Sequence, residues 1–297
     1  MRRPGYRTGL LLLLAPFLTG AVVLVLVPAL VTTAFAFTRY DGLSPPELVG
    51  LDTFRGLLSY GQLRDSLAAT ALFLLLAVPL RLAGGLALAL LMVRRERLAV
   101  PGRLASYAPS VLPDAVVALV LLWAVNPVYG PVAAVVRLAG GTPGPVLLDP
   151  WGARLVIVTA AVLALGEGFL VTLAARREVP EVLYDVARLE GARGAGLFRR
   201  VTLPALAPVL GLLSARDLVV SMQVTLVPVL LLTRGGPLGA TTTLPALAYE
   251  RGFRELEFGD AAAIGVLLTL ATAAVVAVQA VLLRRWTRGG AVVPGGA

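Results

Sequence analysis

The chain has 297 residues, of which 58% are hydrophobic and only 14% charged, where a soluble globular protein carries about 25% charged residues. It contains no cysteine and no histidine, which removes disulfides, thiolate metal sites, imidazole relays and Cys/His nucleophile pairs, and most enzyme classes with them. The net charge of +9 comes entirely from arginines flanking apolar runs, a pattern of membrane insertion and not of nucleic-acid binding.

A spanning helix needs about 20 mainly apolar residues, and six runs qualify. The first, 10–37, follows Arg2, Arg3 and Arg7 in a short segment 1–9. It is longer than a signal-peptide core and has no small-residue cleavage pattern before Phe37, so it reads as a retained helix. The second, 67–93, carries Arg81 and the pair Gly84-Gly85, a mark of close helix packing. The third covers 104–125, with Trp123 and Tyr129 placed for an interfacial belt. The fourth, 155–175, holds Glu167 between two glycines, and the fifth, 205–232, holds Arg216 and Asp217. The sixth is 261–283, followed by a basic tail 284–297 ending in Ala-Val-Val-Pro-Gly-Gly-Ala. An even number of spans puts both termini on one side of the membrane.

The arginines orient the bundle. Sixteen fall in the two terminal segments and in the connections after the second and fourth runs, against eight in the opposite connections. The positive-inside rule therefore places both termini and the segment 179–208 in the cytoplasm. The outward connections 38–65, 126–154 and 233–260 are rich in turn formers such as Asp41-Gly42, Pro45-Pro46 and Gly235-Gly236-Pro237, and read as ordered.

Charges inside the runs need partners or water, because Arg or Asp at a membrane centre costs about 2.5–3.5 kcal/mol. Arg81, Glu167, Arg216 and Asp217 fit either structural ion pairs or a solute path. Arg216 and Asp217 lie about a dozen residues into the fifth run, roughly 16–18 Å deep, with Glu167 a candidate partner for Arg216. As neighbours they diverge by about 100° on a helix, so they are not expected to meet one partner. Ser221, Gln223 and Thr225 supply polar groups suited to a neutral hydroxyl-rich ligand, and Met222 a pliable apolar one.

The long polar segment 179–208 breaks the apolar rhythm. Pro180 suits the first turn of a helix, and Val182, Leu183, Val186 and Leu189 recur on one face, with Glu181, Asp185 and Arg188 on the other. Gly191 stands where a left-handed residue would end that helix. A second short helix with Leu197, Phe198 and Val201 then precedes Leu203-Pro204, where the fifth run begins. The residues alone allow an amphipathic loop on the membrane surface or a docking element.

The order Val-Pro-x-x-Leu-Tyr-acid-x-Ala-x-x-acid-Gly-Ala, then Phe-Arg-x-Val-Thr-Leu-Pro-x-Leu-x-Pro, resembles the coupling loop of permease subunits of binding-protein-dependent ABC importers of the carbohydrate branch. The family's Glu-Ala-Ala signature falls on Asp185, Val186 and Ala187, its glycine on Gly191 and its Leu-Pro on Leu203-Pro204. Asp185 is shorter than the family's Glu, Val186 bulkier than its Ala, and Glu190 stands where Asp is usual. Tyr184 and Ala192 complete the matching positions. Val49-Gly50-Leu51-Asp52, Asn126-Pro127-Val128-Tyr129-Gly130 and Thr233-Arg234-Gly235-Gly236-Pro237 are similar to the family's outward motifs, in the same order.

The resemblance implies an all-α membrane protein, a six-transmembrane-helix bundle of the type I ABC importer permease kind over 10–283, with a cytoplasmic helix-turn-helix coupling loop at about 179–208. It implies two ATP-binding subunits carrying ATP and Mg, a second related permease subunit and an extracytoplasmic solute-binding protein around a chain in a prokaryotic cell membrane. With no GxxxxGK[ST] phosphate loop, the chain itself is expected to bind no cofactor or metal and to catalyse nothing. Two other classes stand beside this one. A secondary, proton-coupled transporter would use Glu167 and Asp217 as titrating groups, and a membrane-embedded enzyme would need a catalytic pair the sequence does not display.

Overall fold

The computed structural model describes residues 6–59, 61–93 and 99–290. Expectations resting on Arg2, Arg3, Arg94, Arg95, Arg97 and the 291–297 tail, and on the side chains of Arg7, Arg284, Arg285 and Arg288, lie outside the described residues.

The first run forms α1 (Tyr6–Ala21) and α2 (Val27–Phe35), joined by one wide π turn, Val22–Leu26. Pro28 has no N–H to give the carbonyl of Leu24, and the helix widens just before it, with the Val27 N–H reaching the Val22 carbonyl. Leu10–Phe35 is apolar on every side and none of it is buried, the surface a lipid-facing helix presents.

Two compact units divide the chain, residues 1–63 with 247–267 and residues 64–246 with 268–297. In the first, strands β1 (Thr38–Arg39) and β2 (Glu47–Leu48) pair antiparallel, a two-residue ladder that the all-α expectation did not include. Asp41 closes the turn between them by accepting the N–H groups of Ser44 and Leu43, which hold its carboxyl below the usual carboxylate range. Helix α3 (Asp52–Ser59) follows, and Phe54 packs on Phe37 while Tyr40 stacks on Phe35. Arg251 pairs with Glu255 and Glu257 and donates to Gln62. The turn residues of the first outward connection close a short hairpin.

The second unit contains α4 (Gly61–Val93) from Arg64 onward, then α5 (Ala99–Val111), α6 (Asp114–Ala124), α7 (Pro131–Leu138), α8 (Pro150–Leu163) and α9 (Gly166–Glu178). It continues with α10 (Glu181–Leu189), the single turn α11 (Ala195–Leu197), α12 (Leu203–Val224), α13 (Leu226–Leu232), the start of α14 (Leu244–Tyr249) and α15 (Phe258–Gly290) from Leu268. Its packing falls into two tiers. In one, α5 and α12 pack on α9, with Ala89, Phe169 and Leu173 at the centre. In the other, α6, α8 and α13 pack together around Phe73, Ala77, Ala118, Ile157, Val229 and Leu232. Gly84-Gly85 does mark close packing, since a Cβ on Gly85 would stand 3.2 Å from the Phe169 nitrogen.

Four helices, Leu10–Phe35, Gly61–Val93, Ala195–Gln223 and Phe258–Leu283, are long and apolar enough to cross a membrane. The third and fourth runs, expected as unbroken spans, are each broken. The third bends by 100° between α5 and α6, and the fourth by 47° between α8 and α9. Counting each bent pair as one span gives the expected six. The physical reason for the first break is Pro113, which pushes Leu112 out of the helical region and starts a new helix at Asp114. The fifth span also differs. It begins at Ala195 and passes through Pro204, whose missing N–H is accommodated by the π turn Phe198–Thr202 just before it, with the Leu203 N–H reaching the Phe198 carbonyl.

Candidate functional site

The 179–208 segment is one helix held against the beginning of another. Pro180 sits at the N-cap of α10 and not within its first turn, with ψ 131°. At the other end Gly191 takes φ 83°, the left-handed conformation expected of it. The Gly191 N–H donates to the Arg188 carbonyl at 3.0 Å and the Ala192 N–H to the Ala187 carbonyl at 2.9 Å. This is the Schellman arrangement, which satisfies the last carbonyls and turns the chain sharply. The second expected helix is not separate. Ala195–Leu197 and the π turn Phe198–Thr202 run straight into α12, so the segment's second half is the first turns of the fifth span.

Tyr184 locks the two parts together. Its ring is 4% exposed and its hydroxyl lies 3.0 Å from Thr202 Oγ1. Arg176, in the last turn of α9, lies over that ring at 4.1 Å and reaches Glu181 Oε1 at 3.5 Å. Three elements, α9, α10 and the start of α12, are therefore tied at one point. Ala187 and Ala192 are buried against this joint, Leu203 is half-buried and Pro204 exposed. Asp185, Val186, Glu190 and Gly191 are exposed, and Asp185 pairs with Arg188 at 2.6 Å. The apolar face expected on α10 is exposed too, with Val182, Leu183, Val186 and Leu189 all open. A helix fixed on one side and apolar on its free side leaves an apolar surface open. Its fixing arginine, Arg176, passed unremarked in the sequence because it resembles any arginine at a span end.

The intramembrane charges gather where the helices break. Arg81, two residues beyond Pro79 in α4, directs Nη2 to the Ala164 carbonyl at the end of α8 (3.3 Å) and to Asp217 Oδ1 (3.6 Å), and Nη1 to Ser221 Oγ (3.5 Å). A guanidinium at a helix C-terminus complements the dipole there. Glu167 occupies the first turn of α9, the favourable end for a carboxylate, and pairs with Arg216 Nη2. Arg216 Nη1 also reaches Asp217 Oδ1 at 3.3 Å. Arg216 and Asp217 share no common partner, as their 100° divergence implies, but the arginine is long enough to reach back to its neighbour, and all four charges form one chain.

A cavity of about 200 Å³ opens beside this chain, lined by Arg81, Glu167, Arg216, Ser221 and Thr225 among others. Two candidates fall outside it. Asp217 is buried behind the arginines and borders only a small void, while Gln223 is exposed on the opposite face of α12. Residues 217, 221 and 225 repeat every four positions and share a face, whereas 223 is half a turn away. Asp114 and Ser110, flanking the α5–α6 break, line the cavity and were not among the sequence candidates. Their signal was a proline directly before each, Pro109 before Ser110 and Pro113 before Asp114. Ser110 Oγ accepts the Gly166 N–H at 2.9 Å, and a Cβ on Gly166 would meet that oxygen at 2.6 Å, so only glycine allows α5 and α9 this close.

Several membrane-length helices with a polar cavity at their breaks have the architecture of a solute permease. The chain belongs to the family described as binding-protein-dependent transport system inner membrane component, whose model matches residues 81–288. It is 30% identical over 274 residues to the sn-glycerol-3-phosphate transport system permease protein UgpA of Agrobacterium fabrum, covering 90% of this chain and 92% of that one. It is 26% identical over 278 residues to the probable starch degradation products transport system permease protein AmyD of Thermoanaerobacterium thermosulfurigenes, covering 90% and 91%. Its fold is similar to a chain of the bacterial alginate ABC transporter solved with an alginate pentasaccharide-bound periplasmic protein, with a TM-score of 0.82 at 20% identity over 94% of both chains. The chain is a multi-pass membrane permease of a binding-protein-dependent system, and the proton-coupled alternative falls away with that membership.

Proposed function

We propose that this permease forms half of the path of an ATP-driven saccharide importer and receives the motor's motion through α10. The observation that carries the reading is the joint at Tyr184. It ties α10 to Thr202 and Arg176 while the helix's apolar face, Glu190 and the Asp185–Arg188 pair stay exposed. An ATP-binding subunit seated on that face would move α9 and α12 together, because both meet at the joint. Two such subunits carrying ATP and Mg, a second related permease and an extracytoplasmic binding protein complete the assembly. The arginine asymmetry supports placing both termini and α10 in the cytoplasm. The saccharide class rests on the starch-products relative and on the hydroxyl-bearing cavity.

Closure of the motor around ATP would swing α10 and turn the cavity outward, by rigid-body motion of packed helices. Val186→Arg tests the docking face, since Val186 is 48% exposed and the change leaves the fold intact. The variant is expected to reach the membrane at normal levels and to lose co-purifying ATPase. Full retention of the ATPase overturns the assignment.

A further inference from the structure

We propose that the cavity accepts neutral, hydroxyl-rich solutes and discriminates against anionic ones. The inference rests on the saccharide-import reading and narrows it. Both guanidiniums beside the cavity are already engaged. Arg216 gives one terminal nitrogen to Glu167 and the other to Asp217, and Arg81 is shared among Asp217, the Ala164 carbonyl and Ser221. Asp114 lines the same space, and no cation lies within ion-pair distance of it among the described residues. The local balance is two cations to three carboxylates.

A phosphate or carboxylate entering this space must either remain unpaired or take Arg216 from Glu167. The second course strands Glu167 in the same space as Asp114, and two unpaired carboxylates facing one cavity repel each other and the incoming anion. Hydroxyl groups need only donors and acceptors, and the hydroxyls of Ser221 and Thr225 on the cavity wall are both. Thr225 Oγ1, shielded from solvent, has no partner among the described residues. The Asp114 carboxylate adds an acceptor. The volume of about 200 Å³ holds six or seven waters at roughly 30 Å³ each, enough for one sugar ring.

Saturation-transfer NMR on the assembled transporter in nanodiscs, without its binding protein, tests this directly. The probes are methyl glucoside and maltose as neutral ligands, and sn-glycerol-3-phosphate and glucuronate as anionic ones. The neutral probes are expected to bind at least about tenfold more tightly. Asp114→Lys should bring the two classes to within about threefold, and Thr225→Val should weaken the neutral probes alone. Tighter binding of the anionic probes, or a preference unmoved by Asp114→Lys, overturns the proposal. Binding of neither class also overturns it, while the permease reading, tested separately through ATPase docking, would stand.

Discussion

Replacing Asp217 with Asn removes the one carboxylate that two guanidiniums share. Its side chain is 8% exposed, with Arg81 at 3.6 Å and Arg216 at 3.3 Å. At an effective dielectric of about 20, each contact is worth roughly 4–5 kcal/mol before desolvation is set against it. The Arg216 contact is discounted, since that side chain is 38% exposed and keeps Glu167. Arg81, 10% exposed, would keep only neutral acceptors. The net loss is about 3–5 kcal/mol, as for other buried pairs broken on one side, or on the order of 10 °C in unfolding temperature. Arg81→Met should be milder, because Asp217 retains Arg216. The double variant Arg81→Met/Asp217→Asn removes both charges and should recover more than half of the Asp217→Asn loss. Thermal stability of the detergent-solubilised complex, read by fluorescence-detected size exclusion, gives the cycle. Strict additivity of the two positions would refute the buried pair.

Gly191→Pro fixes φ near −65° where the chain needs 83°, so solute uptake should be abolished while membrane insertion persists; normal uptake in that variant would remove α10 from the mechanism. Tyr184→Phe deletes the bond to Thr202 and should lower stability by about 1 kcal/mol, with looser coupling read as ATP hydrolysed per solute moved. For topology, single cysteines can be placed in a chain that has none: Ser59→Cys and Thr142→Cys should react with an impermeant maleimide added outside intact cells, and Arg193→Cys should not.

Much of this architecture could be read from the chain, and the unread part has one cause. Apolar runs of 20 or more residues mark spans because the membrane demands them, and the Gly191 turn was legible because few residues tolerate positive φ. The breaks were masked because the long apolar stretches on either side of Leu112-Pro113 and Ala164-Leu165-Gly166 outweigh the single acid that follows each. A hydropathy average passes over them. Periodicity would have done better at the cavity, where the four-residue repeat 217, 221, 225 selects Ser221 and Thr225 and rejects Gln223. It would still have missed Asp114, which comes to the cavity only through the sharp bend before it.

The contact between Ser110 and Gly166 gives the two bent spans a common fulcrum. Ser110 lies just before the break in the third span and Gly166 just after the break in the fourth, and a hydrogen bond without room for a methyl group joins them. Neither bend can open without dragging the other. A twist entering through α9 therefore does not dissipate along a straight rod but is delivered to the level where the cavity lies. If motor work enters at α10, as proposed, this joint would carry it to the level of the cavity, and a Gly166→Ala change would press on Ser110 in the cavity wall while leaving α10 untouched.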